Sequence, residues 1–294
     1  MAATVTAGSL EDLARAAGEG DRESLERLIV SIQDRIHGLA VRMLWNPEDA
    51  REASQEILIR IVTRLGTFRG ASSFSTWVYR VAANYLLTAR KSRVEDERYT
   101  FSRFGAELDE GLSAQGAPEG KPDAALLLEE VKIGCTLGML QCLDRPHRLA
   151  YVLGEILEMD GEEAARVVGI RPAAFRKRLS RARAAVVAFT QAKCGLISPD
   201  KLCRCRRRLP TALRLGRVVP GRLLFASDSQ RATQFPKVLA EIRRLEDVRR
   251  AAALFRSHPG LTAPADFAPR IRKLIEAGPP ITKGRGSDRR NGGA

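Results

Sequence analysis

The stretch DGEEAARVVGIRPAAFRKRLSRAR, running from Asp160 to Arg183, decides how the rest of the chain is read. Asp160 and Glu163 stand at capping-box spacing, which opens a helix of about two turns. Ala164, Ala165 and Val168 supply its buried side, Gly169 suits the left-handed turn that follows, and Ile170 plugs the angle between helices. Pro172 restarts the chain as a first-turn residue. On the second helix Phe175, Leu179, Ala182 and Val186 fall on one stripe. Arg176, Lys177, Arg178, Arg181 and Arg183 occupy the other faces. This layout fits a helix that enters a DNA major groove N-terminus first, with flanking guanidiniums on phosphates. An ordinary basic helical hairpin would carry the cations without needing the small alanine pairs and the turn glycine. Ala173 and Ala174 cannot donate to base edges, so they are placed against thymine methyls while Lys177, Arg178 and Arg181 read bases.

Charge supports that reading. The 294 residues hold 49 Lys and Arg against 35 Asp and Glu, a net of +14. Residues 1–170 are net −7, residues 171–217 net +13 and residues 218–294 net +8. A net of +13 in so short a segment releases counterions from a polyanion. The longest charge-free apolar run, Ala184 to Phe189, is far below the ~20 residues a membrane span needs. Met1-Ala2-Ala3-Thr4-Val5 offers neither a basic lead nor an apolar stretch, so no signal peptide and no membrane partner is expected, and the location expected is cytoplasmic. Five irregularly spaced Cys make no secreted disulfide framework.

Outward from the hairpin, almost every periodic segment is helical, so the fold class expected is all-α. Asp21 caps a long helix with Leu25, Leu28, Ile29, Ile32, Ile36, Leu39 and Met43 on its apolar stripe. Asn46-Pro47-Glu48-Asp49 starts another, with Ala50, Ile57, Leu58, Ile61 and Leu65 inward. After the loop from Gly66 to Ser72, a further helix turns Phe74, Trp77, Val78, Val81, Ala82, Tyr85 and Leu86 inward. Trp77 and Tyr85 therefore belong to the core, whereas Tyr79 lies off the stripe and is free to stack. From Lys91 the periodicity collapses into an acidic, Gly/Pro-bearing stretch that reads as a flexible linker. The expected segments are a first helical domain over 9–91, a linker over 92–125, a helix-turn-helix domain over 126–191, a basic, mostly helical extension over 192–282 and a disordered tail over 283–294.

Two further stretches read together carry a resemblance. PEDAREASQE, from Pro47 to Glu56, resembles the D-A-E-D-x-x-Q-E signature of bacterial RNA polymerase sigma factors. FRGASSFSTWVYRVAAN, from Phe68 to Asn84, is similar to a stretch of their extracytoplasmic-function (ECF) group, and the hairpin resembles that group's promoter-reading domain. The group's L-P-x-x-x-R opening of the second unit appears here as Leu143-Asp144-Arg145-Pro146-His147-Arg148, with the proline displaced.

The resemblance implies roles. Asp49, Glu52, Gln55 and Glu56 would dock on the clamp helices of the core polymerase. Phe68, Arg69, Ser72 and Ser73 would form the pocket for a flipped base of the melted non-template strand. Tyr79, Arg80, Asn84 and Lys91 would run along that strand. Ala173, Ala174, Arg176, Lys177, Arg178, Arg181 and Arg183 would hold duplex promoter DNA. The partners implied are core RNA polymerase and promoter DNA, with an anti-sigma factor as a further one. No enzyme is expected, because three scattered His and no Gly-rich phosphate loop leave nothing to catalyse with. A helix-turn-helix regulator that ignores the polymerase is the alternative, and it needs only the second domain. In the extension, Cys194, Cys203 and Cys205 are candidate zinc thiolates without a clear fourth ligand. The neighbouring arginines would lower the thiol pKa, which favours redox reactivity as much as metal; the remaining reading is no special chemistry and no cofactor, and Arg206 to Arg208 would add phosphate contacts.

Overall fold

A computed structural model of the chain describes residues 7–89, 99–113 and 124–277. It is all-α, with no β-strand among the described residues. The first helices are α1 (Ala7–Glu19), α2 (Arg22–Leu44), α3 (Pro47–Thr63) and α4 (Phe74–Thr88). Each start after the first is fixed by a side chain that takes up orphan amides. Asp21 accepts from Ser24 N at 3.1 Å, Asn46 from Glu48 N at 2.8 Å and Asp49 N at 3.2 Å, and Ser73 from Thr76 N at 3.1 Å. The seven apolar residues expected on α2 are all buried.

The stretch expected as linker contains a helix, α5 (Phe101–Glu110), capped by Thr100. Phe104 and Leu108 are its buried anchors, and Phe104 stacks on Phe189 with ring centroids 5.5 Å apart. Lys193 pairs with Asp109 at 2.5 Å. Phe101, Phe104 and Leu108 fall at i, i+3 and i+7, a helical stripe that the acidic, Gly/Pro-bearing composition of the flanking sequence masked.

The second unit comprises α6 (Ala124–Gln141), α7 (Arg145–Tyr151) running into a single π turn (Val152–Ile156), α8 (Gly161–Val168) and α9 (Pro172–Lys193). It is pinned to the first by Arg148, which is 1% exposed. Its guanidinium donates to the carbonyls of Leu140 and Leu143, each at 2.9 Å, and to that of Met43 near the end of α2. The Leu140 and Met43 carbonyls lie in the last turns of α6 and α2 and that of Leu143 just past α6, where a cation is also favoured by the dipole.

The extension folds into α10 (Cys205–Arg214), α11 (Ser229–Arg244), α12 (Asp247–Arg256) and α13 (Phe267–Ala277). α11 and α12 are separated where Leu245 turns extended. Glu130 on α6, 2% exposed, anchors the run before α11 by accepting from the amides of Leu224, Phe225 and Ala226 at 2.8, 3.0 and 2.8 Å. One buried core runs from Leu10 on α1 to Ile271 on α13, shared by both helical units and the extension. The tail 283–294 lies outside the described residues.

Candidate polymerase and nucleic-acid interfaces

On α3 the buried side is Ala50, Ala53, Ser54, Ile57, Leu58 and Ile61. Helical geometry places Asp49, Glu52 and Glu56 together on the opposite side, at i, i+3 and i+7. Glu52 is exposed, and Asp49 and Glu56 are half-buried. Glu56 pairs with Arg60 at 2.7 Å, and that guanidinium lies 4.7 Å over the Tyr85 ring. Gln55 sits at the flank beside Arg51, its amide nitrogen buried without a hydrogen-bond partner among the described residues.

The loop before α4 is built around an aromatic trio. Phe68 meets Phe74 edge-on at 5.2 Å and Trp77 at 5.8 Å, while Phe74 and Trp77 stack at 5.6 Å. Phe68, Arg69, Ser72, Trp77 and Arg80 line one wall of a cleft of about 690 Å³. Trp77, expected in the core, is therefore a wall of the cleft; its place beside the Phe68 loop was the signal for that role. Tyr85 is likewise only partly buried. Ser73 is exposed, but its hydroxyl is engaged as the α4 cap. Asn84 is exposed further along α4, and Lys91 lies outside the described residues.

Tyr79 does not stack in the open. It is 9% exposed, and burial pushes its phenol above the usual range. A period argument on α4 alone treats every off-stripe position as solvent-facing, whereas Tyr79 is enclosed with Arg35 and Arg42 of α2 and Glu163 of α8 as its charged neighbours.

The hairpin forms as expected, with Gly169 at φ 74° closing α8 in the left-handed region. The buried side of α8 is Ala164, Ala165 and Val167, with Val168 only half-buried. Along α9, Phe175, Ala182 and Val186 are buried, Leu179 partly. Ala173, Arg176, Lys177 and Arg181 are exposed, and Ala174 and Arg178 are half-exposed. Arg183 differs from expectation. Its Nε donates to Glu155 at 2.8 Å and its Nη2 bonds the same oxygen, which braces α9 on the π turn instead of leaving a free phosphate ligand.

In the extension, Cys194 and Cys203 face each other across an isolated parallel bridge. Cys205 and, from α6, Cys135 complete the wall of a small shared cavity. The sequence could not reveal Cys135 as a neighbour. Burial pushes the Cys203 thiol up to about 11 and raises those of Cys135, Cys194 and Cys205 as well. The lowering by Arg204 and Arg208 is present at Cys203 but outweighed by burial, and the donors of these arginines serve backbone carbonyls. Arg204 donates to Pro199 at 2.7 Å, Arg207 to Ser113 at 3.0 Å and Arg208 to Glu107 at 3.0 Å. For the same reason Arg207 and Arg208 are not free phosphate ligands. Among the described residues no group of three or more His, Cys, Asp or Glu is arranged to hold a metal ion, so Cys194, Cys203 and Cys205 do not form the zinc site considered from sequence.

Residues 28–94 match the family described as Sigma-70 region 2. The chain is 32% identical over 179 residues to the RNA polymerase sigma-H factor of Pseudomonas aeruginosa, covering 60% of this chain and 91% of that one. It is 29% identical over 171 residues to the ECF RNA polymerase sigma-E factor of Escherichia coli, covering 57% and 87%. A solved structure, that of CnrH in complex with the cytosolic domain of CnrY, aligns with a TM-score of 0.45 at 19% identity, over 63% of this chain and 98% of CnrH. An acidic face on α3, an aromatic-walled loop before α4 and a basic helix-turn-helix thus stand in a chain matched along most of a known relative's length, and the chain belongs to the RNA polymerase sigma factors of the ECF type.

Proposed function

We propose that this protein binds core RNA polymerase, directs it to specific promoters and assists DNA melting, with no chemistry of its own. The observation that carries the proposal is the acidic stripe of Asp49, Glu52 and Glu56, held on the side of α3 opposite its buried residues. A carboxylate stripe of this kind complements a basic helical partner and steers its approach. Gln55 flanks the stripe and joins it once the partner is seated.

On the DNA side, Arg176, Lys177, Arg178 and Arg181 of α9 would hold duplex phosphates and base edges, and Ala173 and Ala174 would touch thymine methyls. Phe68, Arg69, Ser72, Trp77 and Arg80 would take a base from the melted non-template strand, whose backbone then follows Arg80 and Asn84. Aromatic walls suit an unstacked base, and guanidiniums suit its phosphates.

The test is transcription from genomic fragments by core polymerase with and without the purified chain. New, discrete 5′ ends that depend on the chain are expected. A regulator acting without the polymerase would bind duplex DNA and create no start sites.

A further inference from the structure

The extension grips both halves of the sigma fold. At one end, α12 sits on the helix-turn-helix unit. Phe255 meets the Tyr151 ring edge-on at 5.5 Å, and Arg256 donates to the Glu155 carbonyl at 2.6 Å and pairs with Glu158 at 2.7 Å. At the other end, α13 lies on α2 and α3. Asp266 pairs with Arg51 at 2.6 Å, Arg272 with Glu26 at 2.6 Å, and the Ala263 amide donates to Asp34 at 2.8 Å. Phe267, fully buried, packs its ring against His37 at 5.7 Å. Only the short run from Ser257 to Asp266 joins the two grips, so they act as one clasp.

What the clasp holds shut is the strand-capture cleft. Its second wall is the helix-turn-helix itself, through Arg166, Gly169, Ile170, Arg171 and Pro172. Glu163 on α8 accepts from the Thr76 hydroxyl on α4 at 2.6 Å, closing the seam. While these walls face each other, the strand-capturing residues and the start of α9 open onto one and the same cleft. The clasp also touches the proposed docking helix. Asp266 holds Arg51 beside Gln55, and Asp49 lines a cavity together with Arg217, Leu224 and Phe225 of the extension.

We propose that the C-terminal extension is an autoinhibitory clasp: α13 on α2–α3 and α12 on the helix-turn-helix unit keep the cleft shut and crowd the polymerase-docking face until the core polymerase displaces α13. This rests on the sigma reading of α3 given above. A protein that is competent only in its open fraction binds with an apparent affinity reduced by that fraction. Freeing α13 should therefore tighten core binding by about tenfold or more.

The experiment uses full-length protein. Phe267→Ala removes the buried anchor, and Asp266→Lys with Arg272→Glu removes both ion pairs while leaving the core intact. Each is titrated with core polymerase by fluorescence anisotropy, with hydrogen exchange on residues 74–84 and 161–172 read in parallel. Expected are faster exchange in both segments and at least tenfold tighter core binding for both variants. Adding Glu26→Arg to Arg272→Glu restores the reversed pair and should return exchange and affinity toward those of the parent. Faster exchange with unchanged core affinity would overturn the clasp while leaving the sigma reading in place. Unchanged exchange in both variants would overturn it too, since α13 would then hold nothing shut. Failure of every form, the parent included, to bind core would defeat the sigma reading and the proposal with it.

Discussion

Replacing Arg148 by Ala removes one side chain that serves two helix ends and the turn between α6 and α7 at once. The guanidinium is 1% exposed and donates to Leu140 O and Leu143 O at 2.9 Å each, to Gln141 O at a longer 3.4 Å and to Met43 O across the junction with α2. A hydrogen bond from a charged donor is worth about 1.5–3 kcal/mol, and a buried carbonyl stripped of its partner costs about 1–3 kcal/mol. Burying the guanidinium costs part of that gain, so only the two well-formed bonds to α6 and the inter-unit bond are counted, at the low end. The sum points to a loss of about 3–5 kcal/mol in Arg148→Ala. Against a total of about 5–15 kcal/mol for a folded domain, that is a large fraction. Urea unfolding followed by circular dichroism reads it directly. Arg148→Lys keeps the charge but not the planar fork, and should recover less than half of the loss. A loss below about 1 kcal/mol in Arg148→Ala, or full recovery by lysine, would refute the role given to this residue.

Three other outcomes are expected. His258 is fully surrounded, contacts Thr136 at 3.1 Å, and burial together with Lys132, Arg42 and Arg231 holds its pKa well below 6.5. Below pH 6.5 the unfolded chain takes up a proton that the folded chain refuses, so stability falls as pH falls, by up to about 1.4 kcal/mol per pH unit. His258→Asn should flatten that slope in unfolding experiments between pH 6.5 and 5, and an unchanged slope would contradict it. Gly169→Ala forces a side chain into the left-handed region and should cost about 1 kcal/mol in the same assay, with weaker duplex binding following the loss of the turn. Lys177→Ala and Arg181→Ala should each lower the salt dependence of duplex binding by about one ion. Arg183→Ala should leave that slope unchanged and lower stability, since its partner is Glu155.

The helical class and most helix starts were legible because they are written locally. Asp21, Asn46, Ser73 and Asp160 each cap within three residues of themselves, and the stripes on α2 and α9 are carried by contiguous sequence. The hairpin needed only a glycine and a period. What failed depended on distant partners. Tyr79 looked free because nothing on α4 announces that α2 and α8 will bring Arg35, Arg42 and Glu163 around it. Arg183 and Arg208 looked like phosphate ligands because Glu155 and the Glu107 carbonyl arrive from elsewhere in the chain. The helix at Phe101–Glu110 was missed for a different reason: its stripe of Phe101, Phe104 and Leu108 is local, but it is one short run inside an acidic, Gly/Pro-bearing stretch read as a whole. Of the readings for the cysteines, the lowered-pKa one fails because it rested on counting nearby arginines, whereas burial sets the thiols.

The docking face of α3 can be tested with a single titration. Glu52→Lys with Glu56→Lys reverses two charges on the outer side of α3 without touching its buried residues. With an unchanged thermal melt, we expect affinity for core RNA polymerase to fall by about a hundredfold, the scale on which reversed charges act across an interface. Binding within twofold of the parent protein would contradict the docking face and the sigma activity proposed from it.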